Sequence, residues 1–245
     1  DVAHDLCNSG VDTTMIQRNT TLVVSLKEAP RVYDLYQEGS SVADCDLIAT
    51  AAPYPVLRKG YQLTAALCKE ADKDLLAGLE KQGFRLDNGE PDDTGFQMKY
   101  LRRGGGYYFN VGASDLIVEG KIKVRQHGEI ERVVPDGLLL KDGSVRRADV
   151  IVAATGYKNQ QDVVRHFLGD EIADRIGPVW GFDRAGEMRN MWCRTAQPGL
   201  WFVGGGLPHV RIYSKFLAQL IKACDVGLLS RQLETTVAPP MDKVA

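Results

Sequence analysis

Residues 1–21, DVAHDLCNSGVDTTMIQRNTT, decide how the rest of the chain is read. Val2, Ala3, Leu6 and Cys7 recur at helical spacing, which predicts a short helix over 2–9 that Gly10 ends. Residues 11–17, VDTTMIQ, are rich in β-branched side chains and read as a strand. Arg18-Asn19-Thr20-Thr21 then forms a polar tip. Helix, glycine, strand and polar tip together make the second half of a βαβ unit. Its first strand and turn are expected upstream of Asp1, so the chain reads as starting in mid-fold.

Working outward, residues 22–60 carry mixed signals broken by Pro30, Pro53 and Pro55. Residues 61–82 are expected to form one helix, with Leu63, Leu67, Ala71, Leu75 and Leu79 on its apolar face. Residues 87–95, DNGEPDDTG, read as a polar loop. Short strands are predicted at 107–110, 122–125, 130–134, 138–140 and 145–147, with Asp142-Gly143 turning the last two into a hairpin. Residues 149–155, DVIVAAT, look like a strand buried on both faces of a parallel sheet. Residues 177–194 read as an irregular hairpin with a tryptophan near each end. A second buried strand is expected at 199–203, followed by Gly204-Gly205-Gly206 and a long amphipathic helix. Its stripe is Ile212, Phe216, Leu217, Leu220, Ile221, Cys224 and Leu228.

Composition narrows the function classes. The 245 residues are 44% hydrophobic and 25% charged, which is average for a globular protein and excludes a collagen-like or wholly disordered chain. Thirty basic against thirty-two acidic residues leave a net charge of −2, which speaks against nucleic-acid binding. No apolar run is long enough for a membrane span. The five cysteines are widely spaced without a Cys-x-x-Cys pair, so neither a disulfide framework nor a zinc ribbon is expected. Cys7, Cys68 and Cys224 fall on apolar helix faces, as buried reduced thiols would in a cytoplasmic protein. The four histidines lack metal-ligand spacing, so no metal site is expected. Glycine is in excess, 25 residues or about 10% against roughly 7% on average.

Three places carry the chemistry. At the tip of the first strand, Gln17, Arg18 and Thr20 occupy the positions that would meet an adenosine ribose in a dinucleotide-binding βαβ unit. An acid there selects a free 2′-hydroxyl, whereas the guanidinium of Arg18 suits a 2′-phosphate, so NADPH is expected over NADH. The second place is Thr155-Gly156, closing the run at 149–155. The third is Gly204-Gly205-Gly206 before a helix, whose unpaired N–H groups and dipole favour an anion. Arg211 and Lys215 in the first turns add positive charge.

In this order the segments at 1–21, 104–125, 147–157 (RADVIVAATGY) and 197–223 (QPGLWFVGGGLPHVRIYSKFLAQLIKA) resemble flavin-containing monooxygenases. The likeness is to the C-terminal part of the N-oxygenating and indole-pyruvate branches of that family. It implies an α/β two-dinucleotide-binding flavoprotein: a Rossmann-like NADPH domain plus the C-terminal part of the FAD domain. The corresponding division is 1–148 for NADPH, with an insertion at about 26–103, then 149–233 for FAD and a tail at 234–245. By the same resemblance Arg18 contacts the 2′-phosphate with Gln17 and Thr20 beside it. Thr155 and Gly156 lie near the flavin at the domain crossing, and Gly204, Gly205 and Gly206 lie near the flavin pyrophosphate and ring.

The implied activity uses NADPH to reduce FAD, after which O2 forms a flavin hydroperoxide that oxygenates a small-molecule substrate. No side chain is assigned as a catalytic acid, base or nucleophile. The glycine fingerprints of the family's FAD and NADPH sites are not in this sequence. The chain is therefore expected to be a fragment, truncated at its N-terminus and inactive by itself. A Baeyer–Villiger-type oxygenase on the same scaffold and a non-catalytic remnant are the alternatives.

Overall fold

A computed structural model describes residues 1–87, 89 and 91–230. The expected tail at 234–245, and Asn88 and Glu90 of the expected polar loop, lie outside these residues. The protein is mixed α/β. Its described residues divide into one unit of residues 1–100 and 105–155 and another of 101–104 and 156–230.

In the first unit α1 (Val2–Asn8) leads to β1 (Thr13–Gln17), close to the boundaries expected from sequence. Gly10, at φ +81°, makes the joint. Its N–H donates to Cys7 O and the Val11 N–H to Leu6 O, a closure that needs the left-handed backbone glycine adopts readily. The same pair of bonds closes α4 (Lys73–Lys81) and α6 (Ala113–Val118). β1 runs parallel to β4 (Ile122–Gln126), with Thr13 opposite Ile122 and Gln17 opposite Gln126. β2 (Leu22–Ser25) runs parallel to β3 (Tyr107–Asn110).

Alternation along β2 explains how two helical layers use one strand. Leu22 and Val24 pack with Ala29, Cys68 and Phe96 on one face. Val23 packs with Leu79, Phe84, Ile117 and Ile122 on the other. Helices α2 (Val42–Ala51), α3 (Tyr54–Ala71) and α5 (Gly95–Arg103) complete the helical part. The antiparallel sheet of β5 (Ile130–Val134), β6 (Gly137–Leu140) and β7 (Val145–Arg147) follows the expected hairpin pattern.

Three expectations are corrected. The helix over 61–82 is two helices, α3 and α4, which meet at Asp72. The Asp72 carboxylate accepts the Ser25 N–H at 2.7 Å, a tertiary bond that holds this residue where the chain bends. The expected four-residue stripe marks the buried face only in its second half: Leu79 is fully buried with Leu75 packed beside it, whereas Leu63 is 70% exposed, Leu67 is exposed and Cys68 is the buried residue of α3. Residues 149–155 are not a buried strand. Val150 is 77% exposed, and no strand among the described residues pairs with the run, so its backbone groups have no ladder to enter.

In the second unit, α7 (Gln160–Leu168) and α8 (Asp170–Ile176) pack through Val164, Ala173 and Ile176 against Val179 and Met191. The Asn159 side chain caps α7 by accepting the Asp162 N–H at 2.9 Å. The tryptophan hairpin forms, with Phe182 paired to Met188 and the Trp180 N–H donating to Arg189 O. The third correction is at 199–203, which forms no extended strand: Phe202 makes a single bridge to Met191, and Val203 is exposed. The long helix α9 (Leu207–Asp225) is present, but of its expected stripe only Leu217 and Cys224 are buried.

Candidate functional site

Arg18 follows the last residue of β1, at the carboxyl end of a parallel strand pair. That is the end outside which ligands bind in open α/β sheets. Its side chain is exposed and has no hydrogen-bond or ion-pair partner among the described residues. Gln17 is buried, and its amide is committed to the backbone of Arg85. Nε2 donates to Arg85 O at 2.9 Å, and Oε1 accepts the Arg85 N–H at 2.8 Å. The Gln126 amide also donates to Gln17 Oε1 at 3.1 Å. Gln17 thus joins β1 to the segment after α4, with its hydrogen-bonding groups turned inward.

Thr20 is half-buried, and its hydroxyl donates to the Asp87 carboxylate at 3.5 Å. Asp87 also accepts the Gly89 N–H at 2.7 Å and forms an ion pair with Lys99. Both side chains of that pair are nearly buried, so the charges compensate one another away from water. The first-strand tip therefore brings Gln17, Arg18 and Thr20 close in the chain but divides their tasks. Arg18 is uncommitted, whereas Gln17 and Thr20 are engaged within the fold.

Thr155 and Gly156 are exposed, and Gly156 has φ +84°. In the second unit, Gly206 is the N-cap residue of α9 and has no side chain of its own to cap the helix. Gly205 is at φ +100°, a conformation that favours glycine. At Gly204 a Cβ would lie 3.2 Å from Met191 Cε, the end of a flexible side chain that needs to move only slightly to admit it.

Beside this turn lies a group that sequence reasoning did not single out. Trp192 stacks on Tyr213 at 6.1 Å between ring centroids, and His209 stacks on the same tyrosine at 6.1 Å. Burial pushes the His209 imidazole pKa down and the Tyr213 phenol up. Trp180, Asn190 and Trp192 all have positive φ, uncommon for non-glycine residues. The tryptophans marked the hairpin, but no spacing rule joins them to a tyrosine and a histidine on a distant helix.

Among the described residues no three His, Cys, Asp or Glu side chains converge as a metal site. No helix among them is long and apolar enough to cross a membrane. No protein-family model matches the chain, and no curated protein is similar to it at a significant level.

Proposed function

We propose that this chain serves an FAD- and NADPH-dependent monooxygenase, with Arg18 as the contact to the 2′-phosphate of NADPH. The observation that carries the reading is an exposed guanidinium, without a partner among the described residues, at the carboxyl end of a parallel strand. A permanently charged planar donor is the group that distinguishes a 2′-phosphate from a hydroxyl. The donor set fits this phosphate at Arg18 alone, because Gln17 and Thr20 are engaged elsewhere. Near the flavin, the proposed roles of Gly205 and Gly206 are to let backbone N–H groups approach a pyrophosphate oxygen at the α9 N-terminus. Gly156 and Thr155 are proposed to allow close backbone approach at the end of the 149–155 run.

In such an enzyme the reduced flavin supplies the oxygen-activating chemistry. The protein's contribution is to bind and orient: Arg18 selects the nicotinamide cofactor, and the glycine turn admits the anion. The test is cofactor discrimination. Titration calorimetry of NADPH and NADH against wild type and Arg18→Ala is expected to show about 10–100-fold weaker NADPH binding in the variant, the loss of a charge-assisted contact. NADH binding should change little. Equal losses for both cofactors, or no measurable NADPH binding by wild type, would overturn the reading.

A further inference from the structure

Helix α3 packs one side into the first unit, where Cys68 is buried with Leu22, Val24 and Phe96, and leaves an apolar row outside. Val56, Leu63 and Leu67 are 60%, 70% and 57% exposed. With Gly60 they follow at intervals of four, three and four residues, so the four positions share one face of the helix. Single exposed apolar residues are ordinary, whereas a contiguous row of them marks an interaction surface.

Gly60 sets this row apart. A glycine inside a helix costs about 0.5–1 kcal/mol relative to alanine. Nothing among the described residues asks for one here: its φ is not in the left-handed region, and a Cβ would meet no atom within 4 Å. What the glycine provides is a notch in the outer surface of α3, between Val56 and Leu63. Lys59, beside the notch, is exposed and has no partner among the described residues. Glu70, towards the other end, pairs with Lys73 at 2.7 Å, and both side chains are exposed, so this ion pair exchanges readily for another. At about 100° per residue, Lys59 and Glu70 flank the same edge of the row.

We infer that two copies of this chain associate through α3, antiparallel about a twofold axis between Leu63 and Thr64. In that register Leu67 of each copy lies opposite Gly60 of the other, and the two Leu63 side chains meet near the axis. Lys59 of one copy and Glu70 of the other are offset by two residues, about 3 Å along the helix, which their long side chains span. A twofold interface uses the same patch on both copies, so that patch must supply both halves of every contact. This face does so, carrying notch and knob together with base and acid. The 18 residues of α3 span about 27 Å, and one helix pair of that length makes a small interface, so the dimer is a weak one. The inference is independent of the nucleotide reading, and its test involves no nucleotide.

The test is sedimentation equilibrium of the full chain from low micromolar to near-millimolar concentration. The average mass is expected to rise from one chain towards two. Leu63→Glu sets like charges near the axis and should weaken association at least about tenfold. Gly60→Leu adds apolar surface but fills the notch, so it should also weaken association about tenfold, the opposite of what unspecific stickiness gives. Lys59→Glu and Glu70→Lys should each weaken it about threefold, and the two together should restore it, because the ion pair is rebuilt with its signs exchanged. All four positions are exposed, so circular dichroism should show every variant folded like wild type. A chain that stays monomeric leaves this face to another partner and overturns the inference. So does association that Leu63→Glu or Gly60→Leu leaves intact, or a doubly reversed variant that associates no more tightly than the single ones.

Discussion

Gln17 and Arg18 are neighbours with opposite expected phenotypes, and substituting each separates a folding role from a binding role. Gln17→Leu keeps side-chain bulk but removes the paired bonds to Arg85, at 2.9 and 2.8 Å, and the acceptor used by Gln126. The Arg85 C=O still accepts the Thr21 N–H at 3.1 Å, so the Arg85 N–H is the group left beside an apolar side chain. An unsatisfied buried group costs about 1–3 kcal/mol. Partial access to water puts the loss in the lower half of that range, about 1–2 kcal/mol. For a unit of this size the expected fall in melting temperature is roughly 2–8 °C. Arg18→Ala removes an exposed side chain without a partner among the described residues, so its unfolding free energy should stay within about 0.5 kcal/mol of wild type. The assay is thermal unfolding followed by circular dichroism, with urea midpoints as a check. A Gln17→Leu protein as stable as wild type would refute the structural role of that amide. An Arg18→Ala protein destabilised by more than about 1 kcal/mol would refute the claim that the guanidinium is uncommitted.

Two further outcomes follow from local geometry. Gly137→Ala, at φ +141°, would set a Cβ against Arg146 O and 2.9 Å from Ala148 N, where β6 meets β7. A lowered urea midpoint equivalent to at least about 2 kcal/mol is expected, and an unchanged midpoint would count against this register. The pKa of His209 is held below its ordinary value of 6.5 by burial, so the unfolded chain takes up its proton first as pH falls. This histidine's contribution is fully present above pH 6.5 and is lost as pH drops from there through its lower folded pKa. Comparing stability–pH curves of wild type and His209→Phe should isolate that loss; curves that run parallel below pH 6.5 would remove the basis for it.

Local chemistry made much of the first unit legible. α1, Gly10 and β1 follow from a helical repeat, a left-handed closure and a β-branched run, all set by neighbours in sequence. The strands at 107–147 were similarly readable, because hairpin turns and short β-rich runs announce themselves locally. The apolar runs at 149–155 and 199–203 carried the same kind of signal and did not become buried strands. Hydrophobicity favours burial, but a strand also needs neighbouring backbone to receive its N–H and C=O groups. The position of Arg18 at a strand tip was likewise visible in the sequence.

Local sequence chemistry set which segments could be helix, turn or strand, and where a permanent positive charge would follow a strand. Tertiary structure alone decided that Gln17 faces Arg85 while Arg18 has no partner among the described residues, because that depends on a segment 68 residues away. It also decided that Asp72 bends a helix run, that Asp87 meets Lys99, and that Leu63 and Leu67 of α3 stay exposed. Periodicity reports the face a residue occupies; what touches that face depends on contacts between segments distant in the chain, which no local pattern encodes.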